Sequence, residues 1–408
     1  MDKSSLSELL GKLDKTEVKA LHNFLHSPYF NRNKNVSLLF DFLIKHGNTG
    51  APEITNREIH THLFGNRKFS NENVKTIIYL LTRLIEKFLV LREFEKDDTG
   101  HNIRLLNIFD KKGLDKHFLK HLRRCGRQTI KEGEAELDKI TRKAEFEKTL
   151  LRFYLQRNDE KNIFAHERNL SDDLIAAFLV DMFKQYNVFW RASYLNNMID
   201  KEFTTGILEA IDFKVLLTSY RENNYRYYKL LLPHYEIYRL LKSESRKIEI
   251  IKLKLSIAQN DFISGNEKFV LSTILVNSVY YKSLQYGGVY TYELFEALKL
   301  MIGFYEYSNE PFLRYTTYSN ILRIALQLGE YDWTEEFIKK YHVLLEPSIK
   351  DNMLMYSNAY LAFSRGDFEK CLEYESKINF QTFQQRYYLR DLRLSSLYEL
   401  GKFETALS

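Results

Sequence analysis

Apolar residues recur every three or four positions through nearly the whole chain, and strict alternation of apolar and polar residues is scarce. This spacing predicts amphipathic helices and an all-α fold class. Capping boxes, in which a short acceptor precedes a Glu by three positions, mark helix starts at Asp14 with Glu17 and at Thr55 with Glu58. Ser70 is a further predicted N-cap. In the first part of the chain we predict helices near 15–26, 34–46, 56–64 and 71–95.

The same pattern, followed to the end, divides the chain into three predicted regions. Residues 1–98 form an N-terminal helical module, and residues 99–168 form a charged basic helical connector of two long helices broken near Gly126. Residues 169–408 form aromatic-rich helical hairpins, which we interpret as an α-solenoid. Pro233 falls inside one predicted helix and should kink or restart it.

An internal repeat near the C-terminus gives the most specific signal. A glycine followed two positions later by an aromatic residue closes three successive apolar helices, at spacings of 37 and 35 residues. Glycine allows the left-handed conformation that ends a helix, and the aromatic ring can then pack back across the hairpin. A smaller residue follows each glycine by five positions: Thr334, Cys371 and Ala406. The three pairs are Gly329 with Tyr331, Gly366 with Phe368, and Gly401 with Phe403.

This repeat resembles the tetratricopeptide repeat (TPR) family from about residue 318 onward, with 358–378 as the best match. The resemblance lacks the family's Trp and first Gly, and only Ala406 keeps its alanine. It implies a binding surface formed by successive first helices. The candidate groove residues in the best unit are Tyr356, Asn358, Tyr360 and Arg365. The whole chain also resembles helical-repeat proteins of some bacteria whose N-terminal sequences contain a segment similar to residues 24–43. This resemblance implies a helical array and no known activity.

The last residues reach only the beginning of a second helix in the third repeat. A helical array normally closes with a capping helix whose outer face is polar. We therefore expect either that the sequence continues further, or that a partner or second copy covers this end.

Composition narrows the class of protein. Apolar residues make up 44% of the chain, which is too much for disorder, and 16 Gly with 5 Pro are too few for a loop-rich β protein. The two cysteines cannot form a disulfide framework, and no secretory signal or membrane-length apolar run is visible. These features predict a cytoplasmic protein with reduced thiols.

The formal net charge of +6 is concentrated in one segment. Residues 110–131 contain 8 Lys or Arg and 2 Asp or Glu, a local charge equal to that of the whole chain. Helical spacing places six of the basic side chains on one face, the basic face: Lys116, Lys120, Arg123, Arg124, Arg127 and Lys131. It is either an ordinary solvated face or a surface for an acidic protein, a nucleic acid or a lipid.

A helix-turn-helix interpretation of residues 55–95 is also open. It would place Asn71, Asn73, Lys75 and Thr76 in a DNA groove, with Arg57, Arg67 and Lys68 on phosphates. The second helix is long, however, and its apolar stripe at 77–85 indicates a core face.

Catalytic and metal-binding patterns are weak. No phosphate loop, dinucleotide fingerprint or hydrolase motif is present, so we predict no enzyme and no cofactor. His117, His121 and Cys125 are spaced to line one helix face, but the surrounding cations disfavour a metal. His22 and His26 are also four residues apart, and we expect them to flank a core face. We therefore predict no metal site.

The leading hypothesis is a non-enzymatic scaffold or adaptor that binds a protein partner through the helical array. The alternative is a nucleic-acid-associated regulator that uses residues 55–131. No membrane span is expected.

Overall fold

The fold was determined as a computed structural model. It describes residues 3–47, 54–125, 136–196, 203–242, 247–378 and 383–404. Over these ranges the chain forms 20 α-helices and two short 3-10 helices, and it forms no strand. The predicted all-α class is therefore confirmed.

The chain divides into two compact units, Met1–Thr129 and Ile130–Ser408, where the sequence analysis predicts three regions. The predicted connector is shared between them, because helices 98–125 belong to the first unit and helix Glu160–Asn196 of the second runs through the predicted boundary at 168.

The N-terminal unit contains seven described helices. Both predicted capping boxes are present, with Glu17 and Glu58 each accepting from the backbone N–H of its N-cap residue, and Ser70 caps the fifth helix. Apolar faces of the first five helices meet in one core. The helices are α1 (Lys3–Gly11), α2 (Lys15–His26), α3 (Lys34–Gly47), α4 (Asn56–Phe64), α5 (Asn71–Lys96), α6 (Asp98–Lys111) and α7 (Asp115–Cys125).

The connection between α2 and α3 is fixed by side-chain hydrogen bonds. The Asn31 amide donates to the Leu25 carbonyl at 2.8 Å and to Ser37 Oγ at 3.1 Å, and Ser37 Oγ donates to the same carbonyl at 2.9 Å. The Phe30 ring stacks on Phe24 with centroids 4.3 Å apart. This turn therefore sets the register in which α3 packs against α2.

The C-terminal unit contains the other described helices, and from α11 onward each helix packs against the next along the chain. A 3-10 turn follows α15 at Tyr305–Tyr307 and another follows α17 at His342–Leu344. The helices are α8 (Glu136–Leu155), α9 (Glu160–Asn196), α10 (Phe203–Ala210), α11 (Phe213–Glu222), α12 (Tyr228–Lys242), α13 (Lys247–Ala258), α14 (Gly265–Gln285), α15 (Thr291–Gly303), α16 (Tyr315–Gln327), α17 (Tyr331–Tyr341), α18 (Lys350–Ser364), α19 (Phe368–Glu375) and α20 (Phe383–Glu399).

Pro233 lies inside α12 without ending it. Proline has no N–H to donate to the carbonyl four residues earlier, which is that of Lys229. The side-chain amide of Asn260 donates to this carbonyl at 2.8 Å. A neighbouring segment thus supplies the hydrogen bond that the helix itself lacks.

The three repeat glycines close their helices with the same geometry. Gly329, Gly366 and Gly401 have φ of 75°, 81° and 68°, in the left-handed region. In each turn the residue after glycine donates its N–H to the carbonyl five positions earlier, at 3.0, 2.9 and 2.9 Å. Glycine itself donates to the carbonyl three positions earlier. These paired bonds define the Schellman motif, which satisfies carbonyls left free at a helix end.

The side chains around these turns also repeat. Phe368 packs edge-on against Phe363 at 5.5 Å, and Phe403 packs in the same way against Tyr398 at 5.5 Å. Thr334 and Cys371, five positions after their glycines, are fully buried. Ala406 lies outside the described residues.

The same turn closes two upstream helices with asparagine in place of glycine. Asn158 and Asn224 have φ of 53° and 52°, and the residue after each donates to the carbonyl five positions earlier, at 3.2 and 2.8 Å. Asparagine tolerates the left-handed region better than other residues with a side chain. Hairpins that lack the glycine signature in the sequence are therefore closed by the same hydrogen bonds.

We expect glycine to be required at these turns because it adopts a positive φ, and not because a side chain would collide with its neighbours. An added Cβ on Gly366 meets no atom within 4 Å, so Gly366→Ala should destabilise the unit by about 1–2 kcal/mol, the cost of a left-handed residue. Gly206 is equally uncrowded but lies inside α10 with an ordinary φ, so Gly206→Ala should stabilise by up to about 1 kcal/mol. Urea unfolding of both variants measures the difference. Equal changes in the free energy of unfolding for the two variants would contradict a cost of placing alanine at the positive φ of the turn.

Candidate functional site

One cavity of the C-terminal unit is lined by the first helices of three successive hairpins. It has a volume of about 1040 Å³, and α14, α16 and α18 contribute to its wall together with α15. We call it the first-helix cavity.

Each of these helices presents one stripe of side chains to the first-helix cavity. The lining positions repeat at intervals of three or four, which keeps them on one face of a helix. The stripes are Thr273, Val276, Asn277, Tyr280 and Leu284 on α14; Thr317, Asn320, Ile324 and Gln327 on α16; and Tyr360, Phe363 and Ser364 on α18. The opposite faces of α14 and α16 supply the core, through Leu271, Leu275, Val279, Tyr318, Ile321 and Leu322.

The wall combines apolar surface with neutral hydrogen-bonding groups. Asn277, Asn320 and Gln327 carry amides that both donate and accept, and the tyrosines supply rings with polar tips. Arg323 is the one charged side chain among the described lining residues, none of which is acidic. Tyr280 and Leu284 are 43% and 53% exposed, so apolar surface is open to a ligand. This chemistry suits a peptide segment with apolar side chains and an accessible backbone.

The structure disperses the four candidate groove residues. Tyr360 is half-buried in the wall of the first-helix cavity, and Asn358 is half-buried on α18 outside that wall. Tyr356 is only 9% exposed and belongs to the core. Arg365 is exposed and pairs with Glu335 of α17 at 3.2 Å. The contribution of α14 and α16 to this wall is not visible in the local sequence pattern, because it depends on which helix faces meet.

A buried ionic cluster holds α14 against α9 and α12. Glu267 on α14 is 0% exposed, and its carboxylate accepts from His234 Nε2 at 2.9 Å and from Lys184 Nζ at 3.0 Å. On the same helix, next to the lining residue Asn277, Ser278 accepts a hydrogen bond from Asn187 of α9 at 3.4 Å. Paired charges in a dry interior resist separation, because one partner left alone would be an uncompensated buried charge. The cluster thus fixes the position of α14.

Burial and pairing act on the pKa values in this cluster. Burial by itself would raise the pKa of Glu267, but the hydrogen bond from His234 and the charge of Lys184 outweigh it and lower the pKa below its ordinary value. Burial lowers the pKa of His234, against the opposing effect of Glu267. We conclude that Glu267 is ionised at neutral pH and that a neutral His234 donates to it.

The described part of the basic face is exposed. Lys116, Lys120, Arg123 and Arg124 all lie on the solvent side of α7, whereas Phe118 is fully buried. Arg127 and Lys131 lie outside the described residues.

The polar residues of the helix-turn-helix interpretation are also at the surface. Asn71, Asn73, Lys75 and Thr76 are exposed at the start of α5, as are Arg57, Arg67 and Lys68. Asn71 accepts a hydrogen bond from Asn56 of α4 at 2.9 Å, which links the two helices.

The α7 residues His117, His121 and Cys125 do not form a group of potential ligands. His121 is buried, and its Nδ1 is 2.9 Å from Arg124 Nη2. Cys125 and Cys371 are both buried and free of disulfides. Among the described residues, the His/Asp group that does come together is His22, His26 and Asp41.

No family model, curated protein or solved structure matches this chain. Within the described ranges, no helix combines the length and the apolar character needed to cross a membrane.

The lowered pKa of His234 predicts a specific dependence of stability on pH. Below pH 6.5 the imidazole of His234 binds a proton in the unfolded chain, whereas in the folded chain it stays neutral until a lower pH is reached. The free energy of unfolding therefore keeps its full value above pH 6.5 and decreases as the pH falls below it. His234→Gln keeps a donor without this titration and should flatten the dependence of the urea midpoint just below pH 6.5.

His342→Gln, which replaces a histidine of α17's C-terminal turn outside the cluster, is the control and should keep the wild-type slope. An unchanged slope in His234→Gln would contradict the assignment of a neutral buried imidazole.

Proposed function

We propose that the protein is a non-enzymatic scaffold or adaptor that binds a protein partner through a TPR-like helical array. The observation that carries this proposal is the convergence of three consecutive first helices on one cavity. Arrays of helical hairpins bind along the surface that successive repeats share. The free, buried cysteines support placing the protein in the cytoplasm.

Three features of the hairpins support the TPR-like assignment. The turns at Gly329, Gly366 and Gly401 have one hydrogen-bond pattern, the aromatic residues after Gly366 and Gly401 pack back on the preceding helix, and the small position is buried. First helices α16, α18 and α20 also contact each other in succession. Each repeat therefore buries its apolar face partly against its neighbours, as an array requires.

The wall chemistry indicates the kind of segment that would bind. Side-chain amides on α14 and α16 can pair with a peptide backbone, donating to its carbonyls and accepting from its N–H groups. Apolar side chains of the peptide would cover Leu284 and Tyr280, which otherwise remain exposed. Because Arg323 is the only charged side chain among the lining residues that the structure describes, we expect a segment that is neutral or weakly acidic where it contacts the wall.

Charges introduced into the cavity should abolish partner binding without unfolding the unit. Leu284 and Asn320 are exposed, so Leu284→Glu with Asn320→Glu leaves the core intact. A carboxylate covered by an apolar segment loses its hydration, and we expect recovery of the partner from native cells to fall at least about tenfold. Affinity purification followed by mass spectrometry measures this.

The matched control is Leu255→Glu with Gln259→Glu, which adds the same charge at exposed positions on and just after α13. The partner is identified as the protein retained by this control and lost by the cavity variant. Equal recovery with both variants would dismiss the first-helix cavity as the binding surface.

A second candidate function is nucleic-acid association through the N-terminal unit. The observation that favours it is the exposure of Lys116, Lys120, Arg123 and Arg124 on one side of α7. Exposed cations at helical spacing can follow a phosphate backbone and release its counterions.

This candidate predicts a strong effect of salt. Replacing Lys116, Lys120 and Arg123 with Ala should lower the slope of log affinity against log salt by about two to three, since each lost phosphate contact removes about 0.7–0.9. Fluorescence anisotropy with labelled duplex DNA and single-stranded RNA measures the slope. Replacing the exposed Lys214, Arg221 and Lys229 of the other unit is the charge-matched control. Absent or salt-insensitive binding by the wild type would reject this function.

A further inference from the structure

Two histidines and a carboxylate from neighbouring helices meet at the surface of the N-terminal unit. His22 and His26 are one turn apart on α2, and Asp41 faces them from α3. Asp41 Oδ1 is 3.6 Å from His22 Nε2, and Asp41 Oδ2 is 3.3 Å from His26 Nε2. One potential ligand atom from each residue lies within 4.8 Å of the other two.

The two histidine-to-carboxylate distances are close to those of a metal site. In tetrahedral zinc sites the bonds to nitrogen and oxygen are about 2.0–2.2 Å, so that ligand atoms lie roughly 3.3–3.5 Å apart. The two histidine rings lie nearly parallel, with centroids 4.0 Å apart and an angle of 23° between their planes. Both rings thus present Nε2 to the same carboxylate, and a small cation bound between them would draw together ligand atoms that lie within 4.8 Å of one another.

A hydrogen bond behind the site prepares one histidine for this role. His26 Nδ1 lies 2.9 Å from the backbone carbonyl of His22. Since a carbonyl only accepts, Nδ1 carries a proton, and in the neutral ring Nε2 then has its lone pair available to the site. Metal-binding histidines are usually oriented in this way by a second hydrogen bond.

The turn before α3 determines that Asp41 lies opposite the two histidines. Asn31 and Ser37 both donate to the Leu25 carbonyl, at 2.8 and 2.9 Å, next to His26 in the chain. Leu21 and Leu25 on α2 and Phe40 on α3 are buried beside the site. The three ligands are therefore carried by two packed helices whose register is held by hydrogen bonds.

We propose that His22, His26 and Asp41 bind a divalent transition-metal ion, with zinc as the ion that this ligand set suits best. Two imidazoles and a carboxylate supply three protein ligands, and water completes the coordination because the side chains are 40–50% exposed. The ion joins α2 to α3 and neutralises Asp41. This site is independent of the first-helix cavity and of the proposed function.

Metal titration of the full chain tests the site directly. Zinc binding is measured by calorimetry, and cobalt serves as a spectroscopic probe, since its visible absorption reports nitrogen and oxygen ligands. We expect one equivalent to bind the wild type and to raise its thermal midpoint. His26→Gln and Asp41→Asn should each lower zinc affinity by at least about tenfold, and Asn31→Ala should weaken it by about tenfold through the turn.

His46→Gln is the matched control. His46 is exposed on α3, and its Nδ1 makes the same type of bond to the carbonyl four residues earlier, at 2.8 Å, but it lies outside the group. This variant should bind zinc as the wild type does. Absence of zinc binding in the wild type would overturn the proposal and leave two histidine–aspartate contacts. Equal binding in the wild type, His26→Gln and Asp41→Asn would overturn it as well.

Discussion

The left-handed glycine that ends α16, α18 and α20 is the constraint on which the repeated hairpins of the C-terminal unit depend. One residue with φ near 70° reverses the chain while two backbone bonds satisfy the free carbonyls, so the second helix leaves in a fixed direction. The small buried residue five positions later then lets the paired helices approach closely. Because the same turn is repeated, successive first helices have a common orientation. Each of them therefore exposes a similar row of side chains on one face.

Buried polar groups add a second level of specification. Hydrophobic packing alone tolerates helices sliding past one another, whereas Glu267 has its donors on α9 and α12 and can be satisfied in one register only. A similar specific contact occurs at Pro233, which has no N–H to donate to the Lys229 carbonyl. The side-chain amide of Asn260 donates to this carbonyl instead. His234 donates a hydrogen bond to Glu267 inside the core, where at most 2% of either residue is exposed. Their role is thus to position α14, which forms part of the cavity wall.

Local sequence patterns are sufficient to predict the helices, but they do not show which helix faces meet at the first-helix cavity. Helix starts, capping boxes and the glycine turns depend on neighbouring residues, so local spacing was sufficient for them. The turns at Asn158 and Asn224 were missed because asparagine is common in many other conformations. Tyr356 was assigned to a groove although it faces the core, and Asp41 was not connected with His22 and His26. In both cases the deciding fact is how distant helix faces meet, which one sequence does not encode locally.

The central claim is that the surface formed by successive first helices is where a partner binds. Site-specific photo-crosslinking in the native cell tests it without disturbing the fold. A benzophenone side chain at Asn320, in the wall of the first-helix cavity, should form a covalent adduct with one partner protein. The same group at Glu336, exposed on the second helix α17, should not form that adduct. An adduct of equal yield from Glu336, or none from Asn320, would contradict the account.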